Sequence, residues 1–186
     1  MTRRHANAIP EVLTFWFEET EPKKWFFKDP AFDQVLRDRF EKLVQRALAG
    51  QLDQWAEDAE GLLALIIVLD QMTRNIFRDT PMAFAGDDMA LGLAMTGIER
   101  GYLDAFDDQN HRHFLLMPMM HAEDLAVQEA SLPLFEQYTN AHTYEYAVKH
   151  KVIIERFGHF PHRNSILGRP TTAEEAEFLK GPDSSF

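Results

Sequence analysis

Residues 62–69 form an unbroken run of eight aliphatic side chains, and this run constrains the fold more than any other feature. A helix that is apolar on every side is normally surrounded by other helices. The branched side chains of the run would also suit a strand, but no other segment has the alternating pattern of a partner strand. The run is too short to cross a bilayer, which takes about 20 residues. It therefore predicts the central helix of an all-α fold.

Amphipathic segments on either side of this run predict the helices that surround it. The Asp-Pro pair at 29–30 suits the N-cap and first position of a helix. Another predicted helix, residues 87–100, contains Gly92 and Gly97, which would allow close helix–helix approach. Together these segments predict about eight helices with short connections, stacked as antiparallel hairpins in a single domain over residues 1–186.

Pro118 predicts a break between two of these helices, because proline lacks an amide N–H and disrupts a helix interior. We therefore expect a short helix over residues 111–117 and a new helix beginning near His121. In that second helix, His121, Asp124 and Gln128 would share one face. His121 would then lie at the positive end of the helix dipole, which disfavours its charged form.

Composition and charge exclude several classes of function. The chain has no cysteine, so it has no disulfide, thiolate metal site or thiol nucleophile, which fits a reducing cytoplasm. Its net charge of −11 argues against nucleic acid as a partner. No apolar segment follows Arg3 and Arg4, so we expect no signal peptide. These features predict a cytoplasmic protein with no nucleic-acid partner and no membrane partner.

Polar chemistry is concentrated in residues 155–164. This stretch turns on Gly158 and Pro161 and contains two histidines, two arginines and an asparagine. Between positions 149 and 169 the sequence has five lysines and arginines against one acidic residue. A local positive region on an acidic protein can focus a small anion. The same charges could instead pair with acidic neighbours and contribute only to stability.

A second polar group follows the apolar run. Asp70 and Arg74 are four positions apart, so they can pair on one helical face at the edge of the core. Charged groups at that depth require partners. The pattern is typical of a buried structural ion pair, but it also allows Arg74 or Asn75 to point into a pocket.

Several stretches resemble one family of bacterial proteins. They are Val-Leu-Thr-Phe-Trp-Phe at 12–17, Leu-Asp-Gln-Met-Thr-Arg-Asn-Ile-Phe-Arg-Asp-Thr-Pro-Met-Ala-Phe at 69–84, and Arg-Phe-Gly-His-Phe-Pro-His-Arg-Asn at 156–164 with Leu-Gly-Arg at 167–169. The chain resembles the domain of unknown function 924 family over nearly its whole length, although it has Met-Thr at 72–73 where we expect Phe-Pro. The resemblance implies a soluble helical fold similar to tetratricopeptide repeats, and it implies no established activity.

One functional hypothesis is a binding protein. Stacked helical hairpins form concave surfaces that commonly bind peptides or small molecules. Arginine offers paired donors to carboxylate or phosphate groups, so a small anionic molecule or a peptide is the expected partner. The candidate binding residues are Arg74, Asn75, His150, Arg156, Arg163 and Asn164.

The alternative is an acid–base or hydrolytic enzyme acting on an anionic substrate. Histidine exchanges protons near pH 7, and carboxylates can orient it. No nucleophile motif such as Gly-x-Ser-x-Gly is present. The candidate catalytic residues are His121, His159 and His162, with Asp70, Glu123 and Asp124 as orienting or structural residues.

Two other interpretations remain open. A metal could be held by His121, by Asp124 or Glu123, and by His159 or His162, but this spacing is non-specific, so we expect neither metal nor cofactor. The residues of the 155–164 stretch could also only fasten the last helices to Asp70 and Glu123. The sequence leaves the oligomeric state open.

Overall fold

The computed structural model describes residues 8–185, and these residues form helices and turns but no strand. The all-α class is therefore confirmed. No helix in this part of the chain is both long and apolar enough to cross a membrane. The α-helices are α1 (Ala8–Thr14), α2 (Pro30–Leu48), α3 (Ala59–Ile66), α4 (Thr73–Ile76), α5 (Asp87–Glu99), α6 (Gln109–His121), α7 (Leu125–Tyr138), α8 (Ala141–Phe157), α9 (Asn164–Leu167) and α10 (Ala173–Phe178).

The predicted central helix is confirmed and is deeply buried. Asp58 caps α3 by accepting a hydrogen bond from the N–H of Gly61 at 2.8 Å. α3 then continues through a π-helical turn, Ile67–Met72, directly into α4. Every residue from position 61 to position 73 is buried. The apolar run thus forms a rod that other helices must cover on all sides.

The other helices surround this rod. α1, α5 and α6 pack against α3, whereas α2 packs against the π-helical turn and α4. Each pair of successive helices from α5 to α8 is also in contact. Short connections favour such packing between neighbours in the sequence. This arrangement fits the predicted stack of hairpins, and the likeness to tetratricopeptide repeats stays a prediction.

The buried apolar residues fall into a large and a small cluster. The large cluster extends along the sequence from Val12 to Ala147. The small one contains Ile153, Ile154 and Phe160. The chain after α8 therefore buries little apolar surface of its own, and polar contacts contribute a larger share of its attachment.

The predicted break at Pro118 is wrong. α6 runs through Pro118 and ends at His121. All residues from position 114 to position 120 are buried, so their packing outweighs the hydrogen bond that proline cannot donate. His121 is consequently the last residue of a helix and not near the start of one. Asp124 caps α7 after a short extended link, so His121, Asp124 and Gln128 do not share one helical face.

Gly86 lets the start of α5 lie directly against the central rod. A Cβ atom at Gly86 would lie 2.3 Å from the carbonyl oxygen of Leu69, in the π-helical turn. The predicted close approach also occurs at Gly97, where a Cβ would lie 3.1 Å from the side chain of Leu62. It is wrong for Gly92, where a Cβ would meet no atom within 4 Å beyond its own stretch of helix in the described part of the chain.

These two environments predict opposite effects of the same substitution. Gly86→Ala should reduce the free energy of unfolding by roughly 1–3 kcal/mol, because the added methyl group overpacks a backbone contact. Gly92→Ala, inside the helix that Gly86 precedes, should leave it unchanged or raise it by up to about 1 kcal/mol, because alanine is the better helix former. Urea denaturation of both variants measures the difference. Equal effects of the two substitutions would contradict the close contact at Gly86.

Candidate functional site

Asp70 lies in the π-helical turn and accepts hydrogen bonds from three side chains. Nη1 of Arg74 is 2.9 Å from its Oδ1, and Nδ1 of His121 is 2.8 Å from the same oxygen. Nε2 of Gln71 donates to Oδ2 at 2.5 Å. Burial raises the pKa of Asp70, but Arg74 and His121 outweigh burial and hold that pKa well below its usual range. Asp70 is therefore a buried, ionised carboxylate.

Arg74 joins this carboxylate to a second one on a different helix. Its Nη2 donates to Oδ2 of Asp87 at 3.0 Å, and its Nη1 lies 2.9 Å from Oδ1 of Asp87. Asp87 is the first residue of α5, directly after Gly86. The close contact of Gly86 with the π-helical turn thus brings Asp87 to Arg74. The predicted Asp70–Arg74 pair is confirmed as one half of this bridge.

Arg163 brings the C-terminal segment to the same place. Its Nη1 donates to Oδ2 of Asp87 at 3.2 Å, and its Nη2 donates to the backbone carbonyl of His121 at 3.1 Å. The guanidinium carbon lies 4.7 Å from the ring centres of both Phe84 and Phe160. Burial, followed by the charge of Arg74, lowers the pKa of Arg163 to about 10. Arg163 therefore stays charged at neutral pH.

A second group of polar contacts fixes the remainder of the C-terminal segment. Arg169 binds Glu123 through two hydrogen bonds, at 2.7 and 3.0 Å, and donates from Nε to Oδ1 of Asn164 at 3.0 Å. Glu123 also accepts a hydrogen bond from the N–H of Phe160 at 2.8 Å. This segment thus contacts Glu123 directly and the rod through Asp87. That these contacts only fasten the last helices stays a prediction.

Three histidines lie beside the network. Burial lowers the pKa of His150 to about 3 and that of His162 to about 4. Nδ1 of His150 lies 2.7 Å from the carbonyl oxygen of Tyr146, so it carries the proton and donates. Burial also lowers the pKa of His121, although Asp70 opposes this effect. All three are neutral at pH 7.

Arg163 and His121 both line a cleft of about 460 Å³. Its walls combine apolar side chains with carboxylates from α5 and from the start of α7. A separate cleft of about 260 Å³, lined by residues of α2 and of the segment between α1 and α2, contains none of the predicted site residues. The larger cleft is lined by Phe84, Asp87, Asp88, Leu91, Pro118, His121, Ala122, Glu123, Asp124, Val127, Arg163 and Leu167.

Comparison with known proteins places the chain in a family. A family model of bacterial proteins of unknown function, DUF924, matches residues 12–183. The chain belongs to the DUF924 family. A solved structure of a protein of unknown function from Agrobacterium tumefaciens is 41% identical in sequence, with a TM-score of 0.89, over 95% of this chain and 99% of that one. No curated protein matches the sequence.

In this DUF924 chain, most of the predicted site residues come together but some do not. The amide of Asn75 faces α2 and donates to Asp33 at 2.8 Å. Arg156 is exposed and pairs with Glu174, and His159 pairs with Glu175. The residues gathered around the network or the cleft are Asp70, Arg74, His121, Glu123, Asp124, His150, His162, Arg163 and Asn164.

Sequence reasoning missed Asp87 and Phe84 as parts of the site. The sequence predicts only that a helix begins at Asp87, yet Asp87 is the carboxylate that two arginines share. The excess of arginine over acid in the C-terminal segment was the signal that a distant carboxylate was required. The alternative metal-ligand set is not assembled, and residues 8–185 contain no group of three or more His, Asp or Glu side chains placed to hold a metal ion.

The buried histidines predict how stability depends on pH. Folded His150 stays neutral down to about pH 3, whereas in the unfolded chain it binds a proton near pH 6.5. Its contribution is therefore complete above pH 6.5 and is lost as the pH falls towards 3. Relative to pH 7, we expect a loss of about 2 kcal/mol in the free energy of unfolding at pH 5.

His150→Gln should reduce this pH-dependent loss by that amount, whatever it does to stability at pH 7. His142→Gln, on the exposed side of the same helix, controls for the removal of a histidine. Urea denaturation at pH 5 and pH 7 measures both. An unchanged pH dependence in His150→Gln would contradict a buried neutral imidazole.

Proposed function

We propose that the cleft binds a small polar molecule that carries a positive charge. Its volume of about 460 Å³ is within the range of small-molecule sites, which is roughly 300–1,000 Å³. A cleft of this size favours a small molecule over a peptide segment. The site combines apolar walls with a few polar groups, as such sites usually do.

The arginines of the network give a small anion little to bind. Arg74 pairs with Asp70 and Asp87, and Arg163 also pairs with Asp87. Arg169 pairs with Glu123. A buried cation is stable only with such partners, and an anion would compete with carboxylates that are already in place. This pairing favours a different ligand from the anionic molecule or peptide that the sequence predicted.

The carboxylates without a cation are the observation that carries the proposal. Asp88 is exposed at the edge of the cleft and forms no ion pair within residues 8–185. Asp124 also lines the cleft and uses only Oδ1, which accepts from the N–H of Val127 at 3.1 Å. The cleft therefore has an excess of negative charge. Complementary charge attracts and orients a ligand, so these two carboxylates favour a cationic group in the cleft.

Apolar side chains supply the rest of the binding surface. Leu91 comes from α5, Val127 from α7 and Leu167 from α9. They would cover the aliphatic part of an amine and shield its hydrogen bonds from water. A small molecule with an ammonium or guanidinium group on a short carbon chain matches this surface.

Ligand binding can be tested by thermal shift and calorimetry with simple probes. Agmatine, putrescine and lysinamide should raise the melting temperature, because a ligand bound only by the folded state stabilises it. Acetate, succinate and phosphate should not. Stabilisation by the anions alone would overturn the proposal in favour of the anionic ligand.

A matched pair of variants places the probe in the cleft. Asp88→Asn should weaken amine binding by about 1.4- to fivefold, because an exposed charge pair contributes about 0.2–1 kcal/mol. Glu99→Gln removes the same charge from the exposed far end of α5 and should leave the affinity unchanged. Equal losses in the two variants would indicate a general effect of net charge and would contradict binding at Asp88.

A further inference from the structure

Asp70 and His121 form a carboxylate–imidazole pair whose free end belongs to the cleft. The 2.8 Å contact between Nδ1 of His121 and an ionised carboxylate oxygen puts the proton on Nδ1. A neutral imidazole in this tautomer has its lone pair on Nε2. Nδ1 is the ring nitrogen through which His121 bonds to other residues between 8 and 185, and His121 lines the cleft. Nε2 is free to accept a proton from a bound molecule.

Asp70 is held in a way that fixes the direction of this imidazole. Three side-chain donors occupy its two oxygens, and its side chain is 1% exposed. It lies in a π-helical turn inside an otherwise regular helical rod. Single π-helical turns occur frequently at functional sites. Asp70 therefore lies in the irregular turn and contacts His121, which lines the cleft.

The lining of the cleft restricts the chemistry. None of its twelve residues, all in the described part of the chain, has a hydroxyl, thiol or amine side chain. The hydroxyl, thiol and amine nucleophiles that form many covalent intermediates are therefore absent from this lining, which leaves its carboxylates, the imidazole of His121 and water. Water reaches the cleft from the side of Asp88, which is exposed. Water is thus one nucleophile available to the site.

We propose that His121 is the general base of a hydrolytic site that acts on small esters or amides bearing a positive charge, with Asp70 as its positioning residue. This inference rests on the proposed function, because the same cleft would bind the cationic part of the substrate. Nε2 takes a proton from water while the water oxygen bonds to the carbonyl carbon, and the C=O electron pair moves onto its oxygen. When the C=O bond re-forms, the C–O or C–N bond breaks and His121 returns the proton to the leaving alcohol or amine.

Arg163 pairs with Asp87 and so offers a free anion little to bind, but its charge remains close to His121 while the negative charge of this step develops. Its Nη2 donates to the backbone carbonyl of His121 at 3.1 Å, so the guanidinium lies next to that residue. It also lines the cleft. A fixed positive charge in a site shielded by Phe84 and Phe160 stabilises an oxyanion more than the same charge in water.

The groups around His121 determine the expected pH profile. Burial lowers the pKa of His121 from 6.5, and Asp70 only partly offsets that effect. The rate should therefore rise as His121 loses its proton, with a midpoint below pH 6.5, and should level off at neutral pH. The titratable or charged groups that act on His121 are Asp70 and Arg74 from the rod, Asp87 from α5, His113 from its own helix, His150 from α8 and His162 from the C-terminal segment, with Arg163 at its backbone carbonyl.

Chromogenic substrates test this inference. The 4-nitrophenyl esters and 4-nitroanilides of lysine and arginine should be hydrolysed, and their glutamate counterparts more slowly. His121→Gln should lose about 100-fold or more in kcat, the usual contribution of a general base. His142→Gln, on the exposed side of α8, should keep the parent rate. Asp70→Glu, which keeps a carboxylate, should retain part of the rate and shift the midpoint of the pH profile.

The outcomes separate the reaction from binding. Amine binding without any hydrolysis that depends on His121 would overturn the inference and leave the proposed function standing. Hydrolysis that depends on His121 but is equally fast for glutamate and lysine esters would support the base and reject the preference for positive charge. If His121→Gln does not fold, a rate that stays constant from pH 4 to pH 8 in the parent protein would reject His121 as the base.

Discussion

Arg74 lies between two carboxylates, Asp70 from the rod and Asp87 from α5, and the polar interior depends on this bridge. A buried guanidinium without partners would be strongly destabilising, whereas one between two carboxylates is compensated. The bridge forms only because Gly86 lets α5 start against the backbone of Leu69. A backbone contact that tolerates no side chain thus determines where the charges lie.

The same bridge attaches the end of the chain. The segment after α8 buries few apolar residues, so its position depends on Arg163, which shares Asp87 with Arg74, and on Arg169, which binds Glu123. These contacts hold Arg163 and Leu167 next to α5 and α7, so that residues from all three regions line one cleft. The contacts that stabilise the fold and the contacts that shape the cleft are therefore largely the same. What they leave available is the Nε2 atom of His121 and the carboxylates of Asp88 and Asp124.

Much of the fold follows from local patterns, whereas the composition of the site does not. The apolar run at 62–69 predicts a buried helix because helices apolar on all sides must be covered. The polarity and spacing of Asp70 and Arg74 are sufficient to predict their pair. Pro118 misled the prediction because the core around α6 overrides the local effect of proline, and this error placed His121 at the wrong end of a helix.

Asp87 could not be assigned from the sequence, because its role depends on a backbone contact between segments that local patterns do not relate. Asn75 is the converse case, because the sequence predicts it as a binding residue and the structure does not place it in the site. It is one position from Arg74, but helical geometry turns it towards Asp33 and away from the cleft. The expected charge of the ligand also depends on which charged side chains pair with one another. In the sequence, three arginines suggest an anionic ligand, but in the structure each of them is paired with a carboxylate.

The central claim is that His121 is a neutral imidazole whose Nδ1–H donates to Asp70 and whose Nε2 is left without a hydrogen bond in the network. Long-range ¹H–¹⁵N NMR of the histidine rings at pH 7 tests it directly, with His121→Gln for assignment. The account predicts that His121 is neutral with its proton on Nδ1, and that its Nε2 resonance shifts when agmatine is added. A proton on Nε2, or a charged imidazolium, would contradict the account.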